Sequence, residues 1–160
     1  SWPHFRDSQR RLAETILYCD YAVSSDKGHE WDVHPKQKDV IGERLGKLAL
    51  SQTYDFKKIV AHGPTVEKAT RKGCKVTLNF GDGTVLSTSD NQPLRTITIA
   101  GEIGVFYPAD KVEIKGNKII ISNKKVEKPA RVRYGWEAYS TGNLVNQFAL
   151  PASTFEVVVK

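Results

Sequence analysis

Hydrophobic positions follow two different periods along the chain, and the change of period divides it into two segments. In residues 1–57 the apolar side chains recur every three or four residues, whereas from about residue 58 they alternate with polar ones. The first spacing is typical of amphipathic helices, and the second of strands with one buried face. The pattern therefore predicts an α+β chain whose two parts, residues 1–57 and 58–160, meet near residues 53–58.

The first segment predicts a helix followed by a strand. Phe5, Leu12 and Ile16 lie at helical spacing on a polar background, and Pro3 stands near the start, where proline is tolerated. Residues 21–25 are a short, partly apolar run between polar residues, which indicates a strand.

A second amphipathic helix is predicted over residues 36–51, with Leu45 and Leu48 on one face and Pro35 at its first turn. Alternation of helices with a strand indicates part of an α/β layer. A layer this small cannot bury both faces of a sheet, so we expect exposed apolar surface that associates with a missing segment or with another copy of the chain.

The second segment predicts an antiparallel β-sandwich. Val76, Leu78 and Phe80 alternate with polar residues, and Gly116-Asn117 is a good two-residue hairpin loop. Short strands separated by turn residues are typical of sandwiches. Strands are expected at residues 76–80, 85–87, 97–99, 112–114, 118–121, 130–134 and 155–159.

Composition indicates a globular protein. The chain has 39% hydrophobic and 26% charged residues, and its apolar runs are too short for a transmembrane helix. Cys19 and Cys74 are too few for a disulfide framework, and they either pair or remain as buried thiols. The chain has no methionine and begins at Ser1, which predicts a processed or truncated product.

The net charge of +6 lies entirely in the second segment. Residues 58–160 carry fifteen basic and nine acidic residues, whereas residues 1–57 carry nine of each. A basic surface suits nucleic acid or an anionic sugar, but lysines also protect exposed strand edges from pairing, and we favour that interpretation. Aromatic residues do not interleave with the lysines, so nucleic acid is not an expected partner.

The segment 29–35 between the predicted strand and the second helix carries the candidate chemistry. His29 and His34 are five residues apart and Pro35 interrupts any helix through them, which excludes the spacing of a zinc-protease helix, and no metal is expected. Asp32 and His34 can instead form the acid–base half of a hydrolase triad. On chemistry alone, His34 packing against or capping the next helix is the commoner alternative. No Gly-x-Ser-x-Gly nucleophile block is present.

Several ordered segments resemble bacterial sialate O-acetylesterases, which are SGNH-type carbohydrate esterases. The resemblance begins with Trp2-Pro3-x-x-Arg6-Asp7-Ser8-Gln9, Asp32-Val33-His34-Pro35-Lys36 and Val40-Ile41-Gly42-Glu43-Arg44-Leu45. It continues with Ala100-Gly101, Tyr107-Pro108-Ala109-Asp110, Val132-Arg133-Tyr134-Gly135-Trp136, Asn143-Leu144 and Leu150-Pro151-Ala152-Ser153-Thr154-Phe155. The segments are spread over nearly the whole chain.

This resemblance implies a fold and a site. Residues 1–57 would be the C-terminal helix–strand–helix part of a flavodoxin-like SGNH α/β layer, and residues 58–160 an accessory β-sandwich. His34 would be the catalytic base. The serine of the family's Gly-Gln-Ser-Asn-like block is absent from this chain. The wider superfamily has its aspartate three positions before the histidine, where this chain has Trp31, so Asp32, Glu30 or a backbone carbonyl is left to orient His34.

The implied activity is hydrolysis of an O-acetyl ester on sialic acid or a related acetylated sugar, with release of acetate and without a metal or organic cofactor. The chain would be the C-terminal fragment of such an enzyme, inactive without the N-terminal catalytic portion, and periplasmic or secreted. The alternative is a carbohydrate-binding sandwich with no catalytic role of its own.

Outside the Asp32–His34 pair, Arg133 and Trp31 have both a functional and a structural interpretation, whereas Trp136 has only a structural one. Arg133 can meet the carboxylate of sialic acid, but a structural arginine is the commoner case. Trp136 is expected in the sandwich core or at a domain interface. Trp31 either lines a sugar site or packs beneath it.

Overall fold

The computed structural model describes residues 1–160 and has the α+β character expected, with β-structure predominant. Two helices come first, α1 (Trp2–Thr15) and α2 (Lys38–Gln52), with a single 3-10 turn at Ser25–Lys27 between them. Ten strands follow: β1 (Val66–Lys72), β2 (Lys75–Phe80), β3 (Leu86–Thr88), β4 (Ile97–Ala100), β5 (Phe106–Pro108), β6 (Lys111–Lys115), β7 (Lys118–Ser122), β8 (Arg131–Tyr134), β9 (Leu144–Asn146) and β10 (Phe155–Val158).

The strands form two four-stranded antiparallel sheets and a two-stranded one. Their strand orders are β1-β2-β7-β6, β10-β8-β4-β5 and β3-β9. Sixteen buried residues make one hydrophobic cluster, of which fourteen come from strands of all three sheets and two, Val126 and Ala152, from loops. At its centre the Phe155 ring lies 6.4 Å from the Phe80 ring and 5.6 Å from the Tyr134 ring, between centroids. The inward-facing residues of two sheets thus share one core, as expected for a sandwich.

The predicted hairpin at Gly116-Asn117 is confirmed. Lys115 pairs with Lys118 across the two-residue loop, and Gly116 has φ 57°, a conformation that glycine adopts without steric cost. The Asn117 side-chain amide also donates to the Phe80 carbonyl oxygen at 2.9 Å. The loop therefore connects β6 to β7 and contacts the end of β2.

Strands β1, β5 and β9 were not among the strands expected from the sequence. Edge strand β1 buries only Val66 and Ala69, so it shows no alternation of apolar and polar positions. All three residues of β9 are buried, and β5 is only three residues long. Short strands that are buried on both faces, or on neither, do not show the period of two on which the prediction depends.

The strand expected at residues 21–25 is not formed, so the helix–strand–helix prediction is wrong at its middle element. Residues 20–24 run without a ladder partner and continue into the 3-10 turn. A strand requires a neighbour to pair with, and no other strand of this chain lies beside it. The chain here is held by side chains instead, because the Val23 carbonyl oxygen accepts a hydrogen bond from Arg44 at 2.5 Å.

Helix α2 begins at Lys38, two residues later than expected, and Pro35 lies in the preceding loop rather than in its first turn. Arg44 attaches the helix to the 3-10 turn, because its guanidinium donates to both carboxylate oxygens of Asp26 at 2.6 and 2.7 Å. Leu48 is buried and Leu45 is exposed. The apolar face of α2 is therefore only partly covered.

Helix α1 packs against β10 with its polar side. Asp7 and Arg10 are 3% and 7% exposed, whereas Phe5, Leu12 and Ile16 are 56%, 52% and 51% exposed. The amphipathic helix is confirmed, but its apolar face is turned away from the sandwich. That face has no partner within this chain.

Cys19 and Cys74 are both exposed and unpaired, so neither predicted alternative, a disulfide or a buried thiol, holds. Neither helix combines the length and the apolar character that crossing a membrane requires.

The approach of residues 61–64 to the sandwich generates a stability prediction. A Cβ on Gly63 would overlap the carbonyl group of Pro151 and lie 2.6 Å from its carbon. We expect Gly63→Ala to lower the free energy of unfolding by about 1–3 kcal/mol, because backbone atoms must move apart. Urea unfolding measures this.

The matched control is Gly46→Ala in α2, where an added Cβ meets no atom within 4 Å. That variant should raise stability by about 0.5–1 kcal/mol, since alanine is the better helix residue. Equal stability of the Gly63 variant and the wild type would show that this contact is not made in solution.

Candidate active site

The candidate site lies in the loop between the 3-10 turn and α2. The Arg44–Asp26 ion pair holds the beginning of this loop, and Lys38, the first residue of α2, marks its end. Loops that are fixed at both ends by ordered elements are a usual place for functional residues. The structure places Asp32 and His34, the two residues expected to carry chemistry, in this loop.

Asp32 and His34 form a local hydrogen-bonded pair. Asp32 Oδ1 accepts the His34 backbone N–H at 2.9 Å and lies 3.1 Å from His34 Nδ1. The first bond is an Asx turn, which aspartate forms readily with the residue two positions on. The second holds the ring with Nδ1–H as donor, so that Nε2 carries the free lone pair. The His34 side chain is 81% exposed and that of Asp32 41%.

The same two bonds lower the pKa of the Asp32 carboxyl group. The backbone N–H of His34 contributes most and the His34 side chain contributes next, because both stabilise the carboxylate. Asp32 therefore remains a negatively charged acceptor through the weakly acidic range. A carboxylate on Nδ1 with Nε2 free is the arrangement that a general-base histidine needs.

Of the residues left open as partners of His34, only Asp32 contacts the ring. Glu30 makes no hydrogen bond to His34. Trp31 donates its backbone N–H to His29 Nδ1 at 3.2 Å, and its side chain is 84% exposed. Trp31 is thus free to line a site rather than being packed beneath one.

Asp32 also lines an open groove of about 780 Å³. One side is formed by the first turns of α1, another by residues 24–35, and a third by the sandwich residues Ala138, Tyr139, Ser140 and Thr141. The aromatic rings in its lining belong to Trp2, Phe5, Trp31 and Tyr139. The groove therefore brings together parts of the chain more than a hundred residues apart.

Arg6 joins α1 to the sandwich wall of this groove. Its guanidinium donates to the carbonyl oxygens of Gly135, Glu137 and Ala138 at 2.9, 2.5 and 3.1 Å, and to Thr154 Oγ1 at 2.8 Å. Burial lowers the pKa of Arg6, and the charge of Glu137 partly opposes this. Sequence analysis identified Arg6 only as one residue of the Trp2–Gln9 motif and did not indicate this role, because its partners lie 129 or more residues away.

Arg133 has the structural role favoured by the sequence. Its guanidinium carbon lies 3.8 Å from the centroid of the Phe106 ring and 4.5 Å from that of Trp136, and its Nε donates to Glu156 at 2.6 Å. Trp136 also contacts His4 of α1, with ring centroids 5.0 Å apart, as expected for an interface residue. Arg133 therefore has structural partners at its Nε and beside its guanidinium plane.

No three histidine, cysteine, aspartate or glutamate side chains are arranged to hold a metal ion. No serine or threonine hydroxyl of this chain is hydrogen-bonded to His34. The Asp32–His34 pair therefore has no hydroxyl nucleophile hydrogen-bonded to it.

No protein-family model matches the chain, and no curated protein matches it. It is similar to a solved crystal structure, that of a carbohydrate acetylesterase from Xanthomonas citri. The sequence identity is 33% and the TM-score 0.77 over 82% of this chain. The chain spans only 31% of the length of that protein. The chain is thus related to a carbohydrate acetylesterase, in agreement with the carbohydrate-esterase resemblance of its motifs.

The Asp32–His34 pair generates a titration prediction. The pKa of Asp32, followed by carboxyl carbon NMR, should lie below the ordinary value of about 3.9 for aspartate. In His34→Ala it should rise only part of the way, because the backbone N–H bond, the larger cause, remains.

Glu43 is the internal control for this titration. Its pKa is lowered chiefly by the hydrogen bond from Lys47 in α2, so it should be the same in both proteins. If the pKa of Asp32 in the wild type has its ordinary value, the hydrogen bonds between Asp32 and His34 are not made in solution.

Proposed function

We propose that this chain carries the base and the orienting carboxylate of a carbohydrate O-acetylesterase. Its substrate would be O-acetylated sialic acid, which the sequence motifs imply, or a related acetylated sugar. The observation that carries the proposal is the hydrogen bond between Asp32 and His34 Nδ1, which leaves Nε2 free. The similarity to a carbohydrate acetylesterase supports the class of substrate.

In the proposed reaction a serine hydroxyl attacks the acetyl carbonyl carbon while His34 Nε2 takes its proton. The tetrahedral intermediate then expels the sugar oxygen, which receives that proton from His34, and an acetyl-serine remains. Water, deprotonated by His34, attacks this ester, and acetate leaves as the proton returns to serine. Asp32 stabilises the imidazolium of His34 both while the acetyl-serine forms and while it is hydrolysed. No step requires a metal or an organic cofactor.

The serine would come from an N-terminal catalytic portion outside these 160 residues, because the chain holds no recognisable nucleophile block. The outward face of α1 supports this. Leu12 of α1 is exposed, as are Ile16 and Leu17 directly after the helix and Leu45 of α2. Unpartnered apolar surface of this kind suits packing against another layer of the same protein. In this proposal residues 1–57 complete the catalytic layer, and residues 58–160 are an accessory sandwich.

A purely carbohydrate-binding role of the sandwich is less well supported. It would leave the hydrogen bond between Asp32 and His34 Nδ1 without a role. The rings of Phe106 and Trp136 are covered by the Arg133 guanidinium and so are not open to a sugar.

We also propose that the enzyme acts in the periplasm or outside the cell, as expected for an esterase of glycans.

The direct test is esterase activity of the protein that joins this chain to its serine-bearing portion. We expect His34→Ala to lower kcat about a thousandfold or more, because the serine loses its base. We expect Asp32→Asn to lower it at least about a hundredfold, because the ring loses its tautomer and its counter-charge.

The matched control is Gln37→Ala, which removes an exposed side chain at the end of the same loop that is hydrogen-bonded to neither Asp32 nor His34 and does not line the groove. Its activity should stay within about twofold of the wild type, as is usual for a surface substitution away from a site. Near-normal turnover by His34→Ala would refute the proposed function.

A further inference from the structure

The groove beside Asp32 differs from the rest of the exposed apolar surface. Outside the groove, Leu12 of α1 and the next two apolar residues after the helix, Ile16 and Leu17, form an exposed apolar patch. The groove combines exposed rings with the hydroxyls of Ser24, Ser25, Ser140 and Thr141 and the carboxylates of Glu30 and Asp32. The two surfaces therefore suit partners of different chemistry.

A packed protein layer would suit the first surface but not the groove. Burying hydroxyls and carboxylates against apolar side chains leaves them without hydrogen bonds, which is costly. A sugar has both the C–H faces that pack on aromatic rings and the hydroxyls that pair with polar groups. The groove is therefore matched to a carbohydrate.

The ring contributed by the sandwich is that of Tyr139. It is 40% exposed and makes no hydrogen bond within the chain. It follows directly after Glu137 and Ala138, whose carbonyl oxygens Arg6 holds. Arg6 uses four of its five N–H donors on this loop and on Thr154, so it cannot itself bind a substrate strongly.

We propose that residues 138–141 of the sandwich form one wall of the sugar-binding cleft, with Tyr139 as the residue that stacks on the sugar. Arg6 is a positioning residue that holds this wall on the first turns of α1. This inference rests on the proposed function and adds that the sandwich helps to select the substrate. Asp32 and Tyr139 line the same groove, so a sugar seated on Tyr139 has the Asp32–His34 loop beside it.

Binding tests the inference without turnover. In the complete protein carrying His34→Ala, which keeps the substrate intact, the Kd for O-acetylated N-acetylneuraminic acid and for an acetylated xylose glycoside is measured by calorimetry. Adding Tyr139→Ala should raise the Kd of the sugar that binds about tenfold, since truncated aromatic contacts commonly cost that much. Adding Tyr139→Phe should change it much less, because the ring is kept.

Phe148→Ala is the matched control, since Phe148 is another exposed ring of the sandwich and does not line the groove. It should leave the Kd unchanged. If Tyr139→Ala leaves the Kd unchanged, or lowers only the unfolding midpoint, Tyr139 packs against protein and the inference is wrong.

Kinetics separate this outcome from failure of the proposed function. With His34 intact, kcat/KM is measured on the acetylated sugar and on 4-nitrophenyl acetate, which has no sugar. Tyr139→Ala should lower the ratio of the first value to the second about tenfold. Arg6→Lys should lower the same ratio through KM, because lysine has three donors on a single nitrogen and cannot reproduce the four hydrogen bonds that the planar guanidinium makes from three nitrogens. An unchanged ratio would overturn the inference about Tyr139 and leave the proposed function intact. The proposed function is tested separately, by the activity of the His34 variants.

Discussion

The guanidinium of Arg6 is the contact on which the arrangement of the two parts of the chain depends. It extends from the first turns of α1 to three carbonyl oxygens after β8 and to Thr154 before β10. Hydrogen bonds from a charged donor are stronger than neutral ones, and a planar fork can satisfy several acceptors only in one orientation. The rotation of α1 about its own axis is therefore set by polar contacts.

This constraint explains why α1 exposes its apolar face. Asp7 and Arg10 are buried as an ion pair under the same side of the helix as Arg6, so the hydrophobic stripe turns outward. A charged pair of this kind contributes orientation more than stability, because desolvation offsets much of its attraction. The apolar stripe that results is the surface through which the proposed catalytic layer would pack.

Polar contacts likewise hold the rest of the N-terminal segment. Asp20 accepts from Gln52 of α2 and lies 3.0 Å from His62 Nε2, while the Asp26–Arg44 ion pair closes the next turn. These contacts take the place of the sheet ladder that residues 21–25 lack. They leave the loop after residue 28 to be shaped by its own Asx turn, with the histidine ring open to solvent.

The sequence by itself determined what depends on neighbouring residues: the alternating strands, the hairpin at Gly116 and the closeness of Asp32 to His34 two positions on, although it left open which group contacts the histidine ring. It also indicated the kinship with carbohydrate esterases. Tertiary structure alone decided which face of α1 is buried and that Tyr139 shares a groove with Asp32. The reason is physical. Local periods and turns carry information about nearby residues, whereas the contacts of Arg6 join residues that no local pattern relates.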